Sequence, residues 1–259
     1  MNITALITGS SSGIGYELAG VHAEKGGNLV LVARSINKLE DFKRKLEQQF
    51  KVSVYVIEKD LSLPGAALEV YNELAMQSIS IDYLINNAGL GDVGLFAESD
   101  WDKQEKMISL NVTALSHFTR LFLPDMIKKG SGKILNVAST ASFQPGPTMS
   151  VYFATKAYVL SFSEAVGNEV RKKGITVTTL CPGSTESGFH AVAEGVDKQF
   201  KARKLQSARE VAEYGYKAMM KGKTIAIPGF KNSIMATAVR FLPRAVVVKA
   251  ARKIQEKKH

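Results

Sequence analysis

Short apolar runs alternate with longer amphipathic stretches along most of the chain, and this rhythm limits the folds it can adopt. We predict strands over 3–8, 28–33, 52–57, 81–85, 133–138, 175–180 and 224–227. We predict helices over 13–25, 38–50, 65–77, 100–129, 151–173 and 208–220. Strands that alternate with long helices form parallel sheets covered on both faces. The sequence therefore predicts an α/β, doubly wound fold with a seven-stranded parallel sheet flanked by helices.

The expected domain organisation is one α/β domain over residues 1–230 and a basic helical tail over 231–259. Within the domain, the helix over 100–129 is unusually long, and Ser99 or Asp100 suits its N-cap. Pro124 is expected to kink or shorten the end of this helix, because proline removes a backbone donor.

The cysteine and histidine content argues against disulfide and metal chemistry. Cys181 is the single cysteine of the 259 residues, so no internal disulfide can form, and a reducing compartment is expected. The four histidines have no ligand-like spacing, so we expect no metal site. The N-terminus lacks a charged-then-apolar leader, which leads us to expect a cytoplasmic protein.

A glycine-rich loop joins the first predicted strand to the first helix. Its spacing from Gly9 to Gly15 is G-x-x-x-G-x-G, not the more familiar G-x-G-x-x-G. Glycines there let backbone N–H groups approach a pyrophosphate, and the following helix N-terminus attracts negative charge. Such a turn can also be a simple connector, but its position between a first strand and a helix favours a dinucleotide site.

The residues after the second strand favour NADP(H) over NAD(H). NAD-binding chains usually place an acid near this point to hold the ribose 2′-hydroxyl. Here Ala33 is followed by Arg34 and Ser35, and a guanidinium suits a 2′-phosphate. The alternative is that Arg34 is an ordinary solvated residue. Asp60, after the third strand, suits contact with adenine or the capping of a turn.

Tyr152 and Lys156 are four residues apart at the start of a predicted helix and therefore share one face. A tyrosine hydroxyl has a pKa near ~10, and a neighbouring ammonium is expected to lower it. Ser139 ends the fifth strand, and ligands of open α/β sheets bind at the carboxyl ends of strands. Each feature alone is common, but together they indicate one crevice.

These motifs resemble those of the short-chain dehydrogenases/reductases over roughly residues 2–230. The matching residues are Thr8-Gly9-x-x-x-Gly13-Ile14-Gly15, Asn86-Asn87-Ala88-Gly89, Asn111, Ser139, Tyr152-x-x-x-Lys156, Pro182-Gly183 and Thr185. The resemblance implies a Rossmann fold and an oxidoreductase that moves a hydride between a nicotinamide and a carbonyl or hydroxyl group. It implies that Tyr152 is the catalytic acid/base, supported by Ser139, Lys156 and a proton relay through Asn111.

The loop, the strand ends and the resemblance together predict two further sets of residues. The expected cofactor NADP(H) would contact Gly9, Ser11, Ser12, Gly13, Ile14, Gly15, Arg34, Ser35, Asp60, Leu61, Asn87, Ala88, Gly89, Tyr152, Lys156, Pro182, Gly183 and Thr185. The substrate would contact Ser139, Phe143, Met149, Tyr152 and Phe189. The apolar residues of these loops favour a small-molecule carbonyl or alcohol with a hydrophobic body, such as a steroid, an acyl chain or an aromatic carbonyl.

Much of the net charge of +10 lies in residues 231–259, which hold eight Lys/Arg residues and one acid. A basic amphipathic helix can lie on an anionic membrane surface or dock on its own subunit or a partner. Aromatic residues do not alternate with the basic ones, so we expect no nucleic acid partner. By resemblance, a homodimer or homotetramer is expected.

Two further readings compete with an active NADP(H)-dependent reductase. The chain could be a catalytically silent NADP-sensing protein, or a membrane-surface enzyme whose role is set by its tail. The intact set of Asn111, Ser139, Tyr152 and Lys156 favours the active enzyme over the silent protein. Epimerases and dehydratases share the Tyr-x-x-x-Lys pair but generally carry a larger C-terminal domain.

Overall fold

In the computed structural model, which describes residues 3–186 and 205–256, seven parallel strands form one sheet. The strands are Thr4–Thr8 (β1), Asn28–Ala33 (β2), Val54–Glu58 (β3), Tyr83–Asn86 (β4), Gly132–Val137 (β5), Ile175–Leu180 (β6) and Ile225–Ala226 (β7). Their order is β3-β2-β1-β4-β5-β6-β7, so the winding reverses between β1 and β4. The predicted doubly wound α/β Rossmann fold is confirmed.

Helices cover both faces of the sheet. The helices of the described residues are Gly13–Ala23 (α1), Ile36–Phe50 (α2), Ala66–Met76 (α3), Trp101–Ile108 (α4), Leu115–Lys129 (α5), Ser150–Val170 (α6), Ala208–Met220 (α7), Phe230–Ala238 (α8) and Arg244–Glu256 (α9). Short 3₁₀ turns occupy Phe96–Glu98, Thr140–Phe143 and Arg171–Lys173. The predicted helices up to α7 lie close to the observed ones, apart from the long helix over 100–129.

The strands read as continuous apolar runs because both of their faces are covered. The successive β1 residues Leu6 and Ile7 both lack exposed surface. Leu6 belongs to a cluster with Val70 of α3 and Phe118 of α5. Ile7 belongs to a second cluster with Leu18 of α1. The alternation of neighbouring side chains thus fills two hydrophobic layers from one strand.

The predicted helix over 100–129 forms without a break, but one turn near its middle is a π turn. Asp100 is the N-cap, and its side chain accepts a hydrogen bond from the backbone N–H of Asp102. The π turn over Ser109–Ala114 joins α4 to α5 and contains the buried Asn111. The expectation that Pro124 shortens the helix is wrong, because Pro124 lies inside α5 and the helix continues to Lys129.

The sheet geometry brings the loops of interest to one edge. In parallel strands all carboxyl ends point the same way, so the segments after β1, β4, β5 and β6 meet there. The crevice lies where the winding reverses. Among the described residues, no helix is both long enough and apolar enough to cross a membrane.

Candidate active site

The glycine-rich loop is a tight turn that closes against the end of β4. Gly9 (φ +66°) and Gly13 (φ +59°) adopt backbone conformations that L side chains rarely adopt. A Cβ on Gly15 would lie 2.4 Å from the carbonyl oxygen of Gly9 and 2.3 Å from Nδ2 of Asn87. Ser12 occupies the N-cap of α1, and its side chain does not cap the helix. The loop therefore presents a helix N-terminus to the crevice.

Thr8 ties this loop to the segment after β4. Its hydroxyl accepts hydrogen bonds from the backbone N–H groups of Asn87 and Ala88, both at 3.0 Å. The side-chain Nδ2 of Asn87 donates to the carbonyl oxygens of Thr8 at 3.0 Å and Gly9 at 3.1 Å. Thr8 belongs to the glycine-rich motif but was not predicted as a site residue. Its position next to Gly9 was the available signal.

Arg34 lies exposed immediately after β2, at the edge where an adenine ribose would be held. Ser35 is the N-cap of α2, and its side chain makes no capping bond. Asp60 accepts hydrogen bonds from the N–H of Ser62 at 2.9 Å and from its hydroxyl at 2.7 Å. Burial raises the pKa of Asp60, but these hydrogen bonds and the charge of Arg34 outweigh it and lower the pKa. The side chain of Leu61 is buried in the core.

Tyr152, Lys156 and Ser139 converge as predicted. Tyr152 and Lys156 lie in the first two turns of α6, and Ser139 follows β5. The hydroxyls of Ser139 and Tyr152 are hydrogen-bonded. The Nζ atom of Lys156 donates to the carbonyl oxygen of Val137 at 2.9 Å and lies 5.9 Å from the centroid of the Tyr152 ring.

Burial is the main influence on the pKa values of Tyr152 and Lys156. It raises the pKa of Tyr152 to about 12, although the hydrogen bond with Ser139 acts in the opposite direction. Burial lowers the pKa of Lys156 to about 8. The expectation that Lys156 lowers the pKa of Tyr152 is not met, because the ammonium donates to Val137 and desolvation of the phenol dominates.

Asn111 bridges the segment after β4 to α6. Its Oδ1 accepts a hydrogen bond from the N–H of Leu90 at 2.9 Å. Its Nδ2 donates to the carbonyl oxygen of Leu90 at 2.9 Å and to the hydroxyl of Thr155 at 3.0 Å. Thr155 in turn donates to the carbonyl oxygen of Tyr152 at 2.8 Å. Thr155 was not predicted as a site residue, because nothing in the sequence pattern distinguishes it from other residues of the helix.

Ser142 is a second residue that sequence analysis missed. Its hydroxyl donates to the carbonyl oxygen of Lys156 at 2.7 Å, which fixes the 3₁₀ turn after Ser139 against α6. Ser139 itself accepts from the N–H of Ala141 at 3.1 Å and donates to the carbonyl oxygen of Pro182 at 3.5 Å. The turn, α6 and the segment after β6 are therefore joined at the reacting end of the crevice.

Pro182, Gly183 and Thr185 form the segment after β6. The hydroxyl of Thr185 donates to the carbonyl oxygen of Gly183 at 3.0 Å. A Cβ on Gly183 would lie 2.7 Å from Nδ2 of Asn232, a residue of α8. The start of the C-terminal tail thus packs directly against a predicted cofactor segment.

The structure describes four of the five predicted substrate residues, including Phe143 and Met149. Phe143 is half-buried and packs against the cluster that includes Val159 and Cys181. Met149 is half-buried at the N-cap of α6. Phe189 lies outside the described residues.

The crevice suits a nicotinamide dinucleotide. A Cβ on Gly89 would lie 3.3 Å from both Oδ1 of Asn111 and Nζ of Lys156, so glycine leaves room beside the buried ammonium. Backbone donors at the start of α1, the ammonium of Lys156 and the exposed guanidinium of Arg34 are suitable partners for phosphate and ribose oxygens. Among residues 3–186 and 205–256, no three His, Cys, Asp or Glu side chains are grouped to hold a metal ion.

Comparisons with known proteins agree with this geometry. Residues 3–195 match the family described as short chain dehydrogenase. The very-long-chain 3-oxoacyl-CoA reductase of Rattus norvegicus is 31% identical over 245 residues, which are 92% of this chain and 77% of that protein. Hydroxysteroid dehydrogenase-like protein 1 of Gallus gallus is 32% identical over 242 residues, which are 92% of this chain and 72% of that protein.

A solved structure supports the same conclusion. The short-chain dehydrogenase from Sphingobium yanoikuyae in complex with NADPH superposes with a TM-score of 0.83, at 31% identity over 92% of each chain. The matched family covers the glycine-rich loop, the segments after β4 and β5, and the start of α6. The chain is therefore a member of the short-chain dehydrogenase/reductase family, an oxidoreductase that transfers hydride with a nicotinamide cofactor.

Proposed function

We propose that the chain is an NADP(H)-dependent oxidoreductase that interconverts a carbonyl and a hydroxyl group on a hydrophobic small molecule. The observation that carries this proposal is the hydrogen-bonded pair of Ser139 and Tyr152 beside the buried ammonium of Lys156. The catalytic domain would be residues 1–230, and residues 231–259 would form a separate functional tail.

The site residues divide the chemistry among them. A bound nicotinamide supplies the hydride in reduction and accepts it in oxidation. The hydroxyl of Ser139 binds the reacting oxygen, and the phenol of Tyr152 delivers a proton to it during reduction. A phenol with a pKa of about 12 is protonated at neutral pH, which is the form that a general acid needs.

Lys156 and Asn111 support this step from either side. With a pKa lowered to about 8, Lys156 remains largely charged at neutral pH and would hold the nicotinamide ribose. Both hydrogens of the Asn111 amide bind protein acceptors, whereas Oδ1 accepts one hydrogen bond from Leu90. Its second lone pair can accept a hydrogen bond from water, as a proton relay requires.

The substrate class follows from the walls of the crevice. Leu90, Val93, Phe143 and Met149 are half-buried apolar residues on the loops beside Ser139. Two relatives are named for very-long-chain 3-oxoacyl-CoA and for hydroxysteroid chemistry. We infer a hydrophobic acyl, steroid or aromatic carbonyl, and a homodimer or homotetramer as the assembly.

The catalytic assignment is tested with Tyr152→Phe, which keeps the ring and removes the transferable proton. Loss of a positioned general acid is expected to lower kcat by about 10²–10⁴-fold. Tyr158→Phe, on the exposed side of the same helix, is the matched control and should retain wild-type activity. The assay follows NADPH absorbance over a panel of hydrophobic ketones, and NADPH binding is measured separately. Turnover of Tyr152→Phe within threefold of wild type contradicts the assignment, and intact NADPH binding without turnover in the wild type indicates a sensing protein.

The cofactor assignment is tested with Arg34→Ala. A hydrogen bond to a charged group contributes about 1.5–3 kcal/mol, which corresponds to a preference for NADPH over NADH of about 10–100-fold. Arg34→Ala should raise the KM for NADPH by this factor and leave the KM for NADH nearly unchanged. Lys38→Ala, which removes an exposed charge from the nearby α2, is the control. Equal losses with both cofactors, or a wild type that prefers NADH, exclude this role for Arg34.

A further inference from the structure

The C-terminal helices α8 and α9 and the turn between them expose large apolar side chains. Phe230 is 81% exposed and Phe241 is 82% exposed. Ile234, Met235 and Leu242 are also exposed. Such a concentration of exposed apolar side chains is unusual on the surface of a soluble protein and indicates an interaction site. We call the exposed side of residues 230–254 the tail surface.

The apolar side of α9 is only partly used in the fold. Val247 and Ala251, four residues apart, are buried against the protein. Val246, Ala250 and Ile254 form a parallel row with the same spacing, and all three are exposed. At 100° per residue, this row lies beside the buried one and widens the apolar face toward solvent. Docking on its own subunit therefore accounts for one part of this helix and leaves an apolar row uncovered.

Positive charge borders the uncovered apolar row. Lys249 and Lys253 are both exposed and lie on the polar side of α9 next to Val246 and Ala250. The sequence contains no Asp or Glu between Glu213 and Glu256. Exposed basic residues of the tail surface include Lys231, Arg240, Arg244, Lys249 and Lys253. The tail surface therefore combines exposed apolar side chains with a concentration of basic ones.

We propose that the tail surface docks on an anionic lipid bilayer. A helix with an apolar face bordered by lysines lies in the plane of a membrane, with its apolar side chains in the acyl boundary and its basic groups at the head groups. At 13 residues, α9 is too short to span a bilayer. Two copies of this surface would bring like charges together, and a nucleic acid would leave the apolar row uncovered. Charge and apolarity together thus select the bilayer.

The experiment is co-sedimentation of the full chain with vesicles of phosphatidylcholine, with and without phosphatidylglycerol. We expect binding to the anionic vesicles and much weaker binding to phosphatidylcholine alone. Raising salt from 0.15 M to 1 M shortens the screening length from about 8 Å to about 3 Å and should reduce the bound fraction.

Two pairs of variants test the two components of the surface. Lys249→Gln with Lys253→Gln should weaken binding about 25-fold, since each basic residue near an anionic surface contributes about fivefold. Its control, Lys172→Gln with Lys173→Gln, removes the same charge from an exposed turn elsewhere. Phe241→Ser with Leu242→Ser should weaken binding at least about tenfold. Met76→Ser, at a side chain 77% exposed on α3, is its control.

Loss of vesicle binding in both tail variants, with both controls unaffected, supports the proposal. Absence of binding to anionic vesicles overturns it, as does equal binding to neutral vesicles. Equal losses in the control variants also overturn it. The proposal is also wrong if the wild type does not bind vesicles and elutes as a dimer on size exclusion, while the Phe241→Ser, Leu242→Ser double variant elutes as a monomer. In that case the tail surface binds a second copy of the chain.

Discussion

The three hydrogen bonds of Asn111 allow a quantitative prediction. Asn111→Ala removes the acceptor for the N–H of Leu90 and the donors to the Leu90 carbonyl and the Thr155 hydroxyl. Each neutral hydrogen bond contributes about 1 kcal/mol. Asn111 is only 1% exposed, so water does not readily replace it as a partner for these groups. We expect the free energy of unfolding to fall by about 3 kcal/mol.

The assay is urea unfolding followed by circular dichroism, with Asn168→Ala on the exposed side of α6 as control. The control should be neutral or slightly stabilising, because alanine has a higher helix propensity than asparagine. Thr155→Val removes the hydrogen bond shared with Asn111 and the one to the carbonyl oxygen of Tyr152, and should cost about 2 kcal/mol. In the double variant the two losses should overlap by about 1 kcal/mol, since they remove the same contact.

Two outcomes would refute this reasoning. A loss below about 1 kcal/mol for Asn111→Ala would mean that its hydrogen bonds are readily replaced by water. Strictly additive losses in the double variant would mean that the Asn111–Thr155 contact contributes nothing of its own.

Two further predictions concern Lys156 and Pro124. The pKa of Lys156, lowered from 10.5 to about 8, corresponds to about 3 kcal/mol at 1.36 kcal/mol per pH unit. Lys156→Met loses the hydrogen bond to Val137 but removes the buried charge, and we expect a net gain of about 2 kcal/mol at pH 7. The unfolded lysine keeps its proton up to about pH 10.5, whereas the folded one releases it from about pH 8. The gain in the free energy of unfolding should therefore shrink as the pH rises between these values. Chemical denaturation at pH 7 and at pH 10 measures this change. Pro124→Ala restores a backbone donor inside α5 and should stabilise the protein by up to about 3 kcal/mol, and an unchanged Tm would contradict that account.

The parts of the fold set by apolar periodicity were predictable from the sequence. The strands over 28–33 and 175–180 were predicted at their observed bounds. The parallel arrangement of the strands follows from their alternation with long helices. The convergence of Ser139 with Tyr152 was predictable too, because parallel strands end at one edge.

The remaining features depend on contacts between residues far apart in sequence. Helical spacing cannot reveal the π turn at Asn111, since an extra residue in one turn leaves composition and polarity unchanged. The raised pKa of Tyr152 depends on how deeply α6 packs and on where Lys156 directs its ammonium, which the spacing of the pair does not state. Thr155 and Ser142 acquire their partners only through tertiary packing.

The π turn also constrains how this part of the chain can change in length. A regular helix rotates by 100° for each residue, so removing one residue from Ser109–Ala114 would turn one end of the helix against the other by that angle. Either Asn111 would keep its place beside Leu90, or Phe118 and Phe122 would keep theirs in the hydrophobic layer, but one helix could not satisfy both. The extra residue shifts the helical register, so that a single helix can place Asn111 beside Leu90 and also direct Phe118 and Phe122 into the hydrophobic layer. We therefore expect insertions and deletions to be tolerated less well here than in the connections before α4 and after α5.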